Sequence, residues 1–429
     1  MTNGRNEKMK EAERAVLLGV NAEVFTDEEN ASEETLDELE ALLETAGGIC
    51  VARALQNRSA PDPKTLIGEG KAREIREAVM ANNITLAVVD NDLSPSQMKA
   101  LEEALGCRVI DRSALILDIF ASRARTREGK LQVELAQYQY ILPRLAGLGT
   151  SLSRLGGGIG TRGPGETKLE SDRRHIRSRI ARLSDELEEV RRVRATQRRR
   201  REKNEIPLVA IVGYTNAGKS TLLNTLTGAG IEANDRLFDT LDPTTRALQL
   251  DETTQVLMSD TVGFIRKLPH HLVSAFKATL EELTYADVLL HVVDASNPLW
   301  PKQMDVVEGL IRELGAEKTP CIRVYNKADA CGEPEILPRG EDAVFVSALY
   351  GRGMEQLREK MISVLNRGRR RVHLLLPYDQ SALLDLLYRE ASVESVEYAE
   401  NGIDVHAVCD EKLYGKMRQY RSEEHDGGQ

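Results

Sequence analysis

Short apolar runs alternate with amphipathic stretches along residues 13–120. Strands are expected at 15–20, 48–52, 84–89 and 107–110, and helices at 34–45, 70–82, 95–105 and 112–121. Strands that alternate with helices predict a small parallel α/β domain over 13–121, behind a polar N-terminus at 1–12. The pattern then changes period. Leu131, Leu135, Tyr138 and Leu142 step by four and three, as do Ile176, Ile180, Leu183, Leu187, Val190 and Val193. Two such seams predict an antiparallel helical hairpin over 122–203. Glycines crowd Gly147 to Gly165 between them, which predicts a non-helical, flexible tip. The second helix, at about 35 residues, would reach roughly 50 Å.

Strand and helix alternate again over 205–365. Strands are expected at 207–212, 247–250, 255–259, 288–293, 321–325 and 343–346, with a hairpin turn at 251–254. Helices are expected near 219–227, 270–283, 301–314 and 353–365. The basic run at 367–371 reads as a linker, and 372–421 as a small α+β appendage with a turn at Asn401-Gly402. The fold class is therefore α/β and multidomain.

A chain of 429 residues exceeds one ordinary core, in keeping with several domains. No apolar stretch approaches the roughly 20 residues of a membrane span, so no stable membrane insertion is expected. The first residues lack the apolar segment of a secretory signal. Five scattered cysteines without C-x-x-C spacing read as reduced thiols of a cytoplasmic protein. Peripheral association with a membrane is left open. Charge refines this picture. Residues 122–203 carry 21 basic against 10 acidic side chains, about +11, in a chain of net charge −10. One basic arm on an acidic protein points to a polyanion such as RNA, and Arg154 and Arg162 at the tip are the contact candidates.

The chemistry is concentrated in 205–365. Gly213, Tyr214, Thr215, Asn216, Ala217, Gly218, Lys219 and Ser220 fit G-x-x-x-x-G-K-[ST] between an apolar strand and a helix. Such a loop turns main-chain N–H groups toward a polyphosphate, with Lys219 on the β- and γ-phosphates and Ser220 on Mg²⁺. Asp260, Thr261, Val262 and Gly263 close another strand. Asp260 would hold Mg²⁺ through water, and the Gly263 N–H would meet the γ-phosphate. Asn326, Lys327, Ala328 and Asp329 follow a third strand. The Asp329 carboxylate can accept from N1–H and the exocyclic amine of guanine, which adenine cannot match. Ser347, Ala348 and Leu349 would bring the Ala348 N–H to the guanine oxygen. Phe238, Asp239, Thr240, Leu241 and Asp242 begin a switch segment, in which Thr240 is chosen as the Mg²⁺ ligand of the triphosphate state and Thr244 and Thr245 are alternatives. Lys219, Thr240 and Gly263 are the catalytic candidates. These motifs, ordered and each at a strand end, predict a GTP hydrolase that binds GTP and GDP.

Together with the glycine-rich 156–166 before a charged helix, these motifs resemble the HflX family of ribosome-associated GTPases, over nearly the whole chain. The resemblance implies a ribosome-associated GTPase that binds the large ribosomal subunit and its RNA and can separate stalled ribosomes; a monomer is expected. Two rivals use the same motifs: a nucleotide-gated switch acting on a protein or membrane partner, and the GTPase module of a tRNA-modification system. Phe264 stands where related proteins place a water-orienting glutamine, so slow intrinsic hydrolysis is expected. Asn216 matches a position that helps bind K⁺ in some related GTPases. His270 and His271 read as surface residues, and Gly68-Glu-Gly-Lys71 as a helix-start turn.

Overall fold

The computed structural model describes residues 12–27, 29–153, 164–203, 206–228, 237–238, 244–252, 254–261, 263–267, 281–331, 338, 340–367 and 369–422. The first sheet contains β1 (Arg14–Ala22), β2 (Ile49–Arg58), β3 (Leu86–Val89) and β4 (Arg108–Asp111). Its order is β2-β1-β3-β4 and every pairing is parallel. Strand β3 is buried on both faces because helices cover the sheet on both sides. The helices are α1 (Glu33–Thr45), α2 (Glu69–Ala81), α3 (Pro95–Leu105) and α4 (Arg112–Arg123). Their starts are written locally. Ser32 with Thr35, and Ser94 with Gln97, form capping boxes at α1 and α3. Gly68 is the residue before α2, so Gly68-Glu-Gly-Lys71 is a helix start here.

Helices α5 (Arg127–Ser153) and α6 (Pro164–Lys203) form the hairpin. Leu131, Leu135, Leu183 and Leu187 are buried in its seam, with Tyr138 and Ile180 packed beside them. Arg179 clasps Glu134 through two hydrogen bonds of 2.9 and 3.0 Å, and Arg194 pairs with Glu128 at 2.8 Å. Three details differ from the sequence reading. Helix α5 runs through Gly147 and Gly149, whose propensity penalty of about 1 kcal/mol each does not stop a long helix. Helix α6 has 40 residues, about 60 Å of rise. Val193 is exposed, because the packed seam extends only to Leu187 among its buried residues. The remainder of the predicted tip, with Arg154 and Arg162, lies outside the described residues.

The second sheet holds β5 (Leu208–Gly213), β6 (Thr244–Gln249), β7 (Gln255–Asp260), β8 (Val288–Asp294), β9 (Cys321–Asn326) and β10 (Ala343–Phe345). The order is β10-β9-β8-β5-β7-β6, parallel except for β6. Helices α7 (Lys219–Thr227), α8 (Trp300–Glu313) and α9 (Met354–Leu365) pack on it. The basic run 367–371 is not a free linker. Arg369 already begins β11 (Arg369–Leu376), while Arg367 pairs with Asp342 and Arg371 with Glu394. Pairing with acidic neighbours turns a run that looks like solvated linker into strand and anchor. Strand β11 joins β12 (Ser392–Ala399) and β13 (Gly402–Asp410) in an antiparallel sheet of order β11-β13-β12. Helices α10 (Ser381–Glu390) and α11 (Glu411–Met417) cover one face of it. Among the described residues no helix is long and apolar enough to cross a membrane.

Candidate guanine-nucleotide site

Strand β5 lies between β8 and β7, where the chain order reverses. The crevice beyond the carboxyl ends of strands at such a point is where open α/β sheets take ligands. The loop 213–218 leaves β5 there and passes into α7, whose N-terminal amides face the crevice. Gly218 has φ +90, and a Cβ there would lie 2.3 Å from Asn326 Nδ2, so both conformation and contact require glycine. Lys219 is buried and donates from Nζ to the Tyr214 carbonyl at 2.8 Å. Burial pulls its ammonium pKa down to about 8, although nearby Asp260 opposes the shift.

Strand β7 delivers Asp260 to the same edge. Ser220 Oγ donates to Asp260 Oδ2 at 2.8 Å, so two hard oxygen donors already meet, as a Mg²⁺ site needs. Thr261 is buried and bonds the Ile211 carbonyl at 2.7 Å, which ties the end of β7 to β5. Gly263 lies against the phosphate loop. A Cβ there would be 2.9 Å from Thr215 Cα and 3.0 Å from Lys219 Nζ. Phe264 is buried, and its backbone pairs with the loop through Thr215 N–H to Phe264 O at 2.7 Å and Phe264 N–H to Gly213 O at 3.1 Å. Thr215 Oγ1 in turn accepts from the Phe238 N–H at 2.9 Å.

Asn326 is the strut of the site. It donates from Nδ2 to the Ala217 carbonyl at 2.9 Å and accepts the Ala348 N–H at 3.0 Å. One buried amide thus joins the phosphate loop to the loop after β10. Lys327, at φ 58, pairs with Asp294 at 2.7 Å, and Asp329 stands exposed in a short 3₁₀ turn over Ala328–Ala330. Ser347 and Ala348 are buried, whereas Leu349 is exposed. Asn216 is exposed at φ 60 on the crest of the loop. Asp239, Thr240, Leu241, Asp242 and Val262 lie outside the described residues, as do His270 and His271. The alternatives Thr244 and Thr245 begin β6, with Thr244 in register with Asp260.

Three family models match consecutive parts of the chain: a GTP-binding GTPase N-terminal region over 33–121, a GTP-binding GTPase middle region over 123–201, and a 50S ribosome-binding GTPase over 208–327. A GTPase HflX of Lacrimispora saccharolytica is 49% identical over 96% of this chain and 97% of its own. The GTPase HflX of Escherichia coli K12 is 44% identical over 91% and 92%. The chain belongs to the GTPase HflX family. A GTP-binding protein of Sulfolobus solfataricus, crystallised with GDP, is 26% identical over 83% of this chain and 99% of its own, with a TM-score of 0.43. Membership of the HflX family makes this protein a GTP hydrolase that binds guanine nucleotide.

The structure adds residues that motif reading did not reach. The Tyr214 hydroxyl donates to Glu38 of α1 and accepts the Arg266 N–H at 2.8 Å. Burial first, and Glu38 next, hold the phenol pKa well above its ordinary value, so it stays a donor. Arg112, fully buried, pairs with Glu38 and with Asp90 at 2.9 Å, and donates to the Arg266 carbonyl at 3.2 Å. Lys267 pairs with Asp90 as well. Phe120 of α4 meets Phe238 edge-on at 4.7 Å between centroids. The phosphate loop and the segment after Asp260 are thus packed and ion-paired against the N-terminal domain. The acidic residues belong to helices and strand ends that look ordinary in sequence. Arg112, a cation set just before the apolar run Ala114–Leu117, is the hint in sequence that a partner awaits it.

Proposed function

We propose that this GTPase uses its nucleotide cycle to govern docking on the large ribosomal subunit and the separation of stalled ribosomes. The observation that carries the reading is the meeting of four motifs at one sheet edge, strutted by Asn326, in a chain that also bears a basic helical arm. Gly213–Ser220 cradle the phosphates, and Asp329 with Ala348 reads guanine. Ser220 and Asp260 hold Mg²⁺ with Thr240, which is the switch threonine. When bound, Mg²⁺ neutralises phosphate charge. The donor set fits, since hydroxyl and carboxylate oxygens are what this hard cation prefers. Gly263 offers its N–H to the γ-phosphate, where the absence of a side chain lets the backbone approach Lys219. Phe264, buried and without a hydrogen-bonding side chain, orients no water, so intrinsic turnover is slow and the ribosome supplies the acceleration. Asn216 contributes to a K⁺ site beside the phosphates. The matching model described as a 50S ribosome-binding GTPase supports the choice of partner.

Co-sedimentation with purified ribosomal subunits, with GDP and with a nonhydrolysable GTP analogue, tests the reading. The large subunit is expected to retain the protein in the triphosphate state, with binding that falls as salt rises. Replacing 150–163 with a Gly-Ser linker should keep GTP binding and abolish ribosome-stimulated hydrolysis. Hydrolysis assayed in K⁺ and then in Na⁺ should be faster in K⁺. Full stimulation of the loop-replaced protein would remove the arm from the interface, and equal rates in the two cations would remove K⁺.

Asp329→Asn should move preference from GTP to XTP, because an amide can donate to the C2 carbonyl of xanthine and cannot accept both guanine donors. Nucleotide competition reads it: unchanged GTP affinity with no gain for XTP would take Asp329 out of base recognition.

A further inference from the structure

The C-terminal sheet carries a cluster that the nucleotide cycle does not use. Strands β11 and β13 are antiparallel, and His373 lies directly opposite His406. Asp404 is two residues before His406, so the period of two places it on the same face. The other face is the packed one: Val372, Leu374, Val405 and Ala407 are buried in the core under α10 and α11. His373, Asp404 and His406 therefore project from a rigid platform on the side that the helices leave uncovered. Their side chains are 26%, 30% and 46% exposed, open enough for an ion to enter.

The three groups converge. One potential ligand atom from each lies within 4.8 Å of the others. His373 Nε2 is 2.7 Å from Asp404 Oδ1, and His406 Nε2 is 3.7 Å from the same oxygen. The two imidazoles are stacked with centroids 4.2 Å apart and planes 9° from parallel. The shorter contact is an ordinary hydrogen bond, but a His–Asp pair needs only one histidine. The second imidazole lies beyond hydrogen-bond distance of the carboxylate. Among the described residues it has no other hydrogen-bond partner.

We propose that His373, Asp404 and His406 form a binding site for a divalent transition-metal ion of the Zn²⁺ class. Three protein ligands of imidazole and carboxylate type leave a fourth tetrahedral position for water. Ligand atoms about 2.0–2.2 Å from Zn²⁺ are roughly 3.3 Å from one another in a tetrahedron, which lies between the two observed separations. Binding would also turn the two imidazoles out of their parallel stack, since a metal lies in the plane of each ligating ring. Imidazole ligands favour Zn²⁺, Ni²⁺ or Cu²⁺ over Mg²⁺, so this site does not compete for the ion of the nucleotide site. A metal here would pin β11, the strand entered directly from the GTPase domain, to the central strand of the C-terminal sheet.

The test uses the untagged full-length chain, with ZnCl₂ as probe in isothermal titration. Wild type is expected to bind one more Zn²⁺ than His406→Ala, and Asp404→Asn should weaken that event at least tenfold. Co²⁺ substitution should give ligand-field bands without thiolate charge transfer, which separates this site from the cysteines. GTP binding, which these residues do not touch, verifies that the variants are folded. If a variant fails to fold, imidazole ¹⁵N shifts of wild type on Zn²⁺ addition decide instead: two of the seven histidines should respond. Equal Zn²⁺ stoichiometry in wild type and His406→Ala, or unmoved His373 and His406 signals, would overturn the proposal.

Discussion

Arg112→Ala is expected to destabilise the protein by about 3–5 kcal/mol. Arg112 is fully buried, and Asp90, which it meets at 2.9 Å, is buried as well. Burial opposes the guanidinium charge, but Glu38 and Asp90 outweigh it and hold its pKa above the ordinary range. Truncation strands the fully buried Asp90 carboxylate and leaves the half-buried Glu38 without its cation. Lys267 pairs with Asp90 and softens the loss without replacing the second contact to Glu38. The damage should extend to the nucleotide domain. Arg112 also holds the Arg266 carbonyl, and Glu38 holds the Tyr214 hydroxyl of the phosphate loop. Urea unfolding followed by circular dichroism reads the stability. Adding Glu38→Gln and Asp90→Asn to Arg112→Met should recover part of it, since neutral partners carry no stranded charge. A single-variant loss below about 1 kcal/mol would show that the node is not what joins the domains.

Lys219→Ala is expected to weaken GTP binding by about 100- to 10,000-fold, the equivalent of two charge-assisted hydrogen bonds to phosphate. The pKa of this lysine makes the prediction sharper. In the nucleotide-free protein it is pulled down to about 8 from 10.5, chiefly by burial. Between those values the unfolded chain keeps a proton that the folded chain has shed. Stability therefore rises with pH across that window, and the rise should vanish in Lys219→Met. A bound triphosphate adds negative charge and restores the ammonium. GTP binding should then take up a proton at pH 8–9, within that window. Calorimetry in buffers of different ionisation enthalpy measures this uptake. Wild-type affinity in Lys219→Ala, or binding enthalpies independent of buffer, would contradict the role given to Lys219.

Much of the candidate site was legible in the sequence because its parts are local. A glycine-rich turn between a strand and a helix, and short polar tails on apolar strands, are properties of a few adjacent residues. Their order alone implied that they share one sheet edge, since parallel strands in an open α/β sheet end on the same side. The parallel N-terminal sheet and the helical seam at Leu131, Leu135, Leu183 and Leu187 were legible for the same reason, as periodicity is a local property. The glycines at 147 and 149 misled, because propensity is a weak term against continuation of a long helix. The basic run at 367–371 misled because its acidic partners, Asp342 and Glu394, are distant in sequence.

The sequence by itself determined the motifs that we propose to meet phosphate, metal and guanine, and on which strand ends they stand. Only the tertiary structure decided what those residues are fastened to. Asn326 acts as a strut because Ala217 and Ala348 come from loops 131 residues apart that folding places on either side of it. Tyr214 is a domain contact because α1 brings Glu38 to it, and His373 faces His406 because two strands pair in one register. Long-range pairing depends on the packing of the whole chain, so no window of adjacent residues contains it.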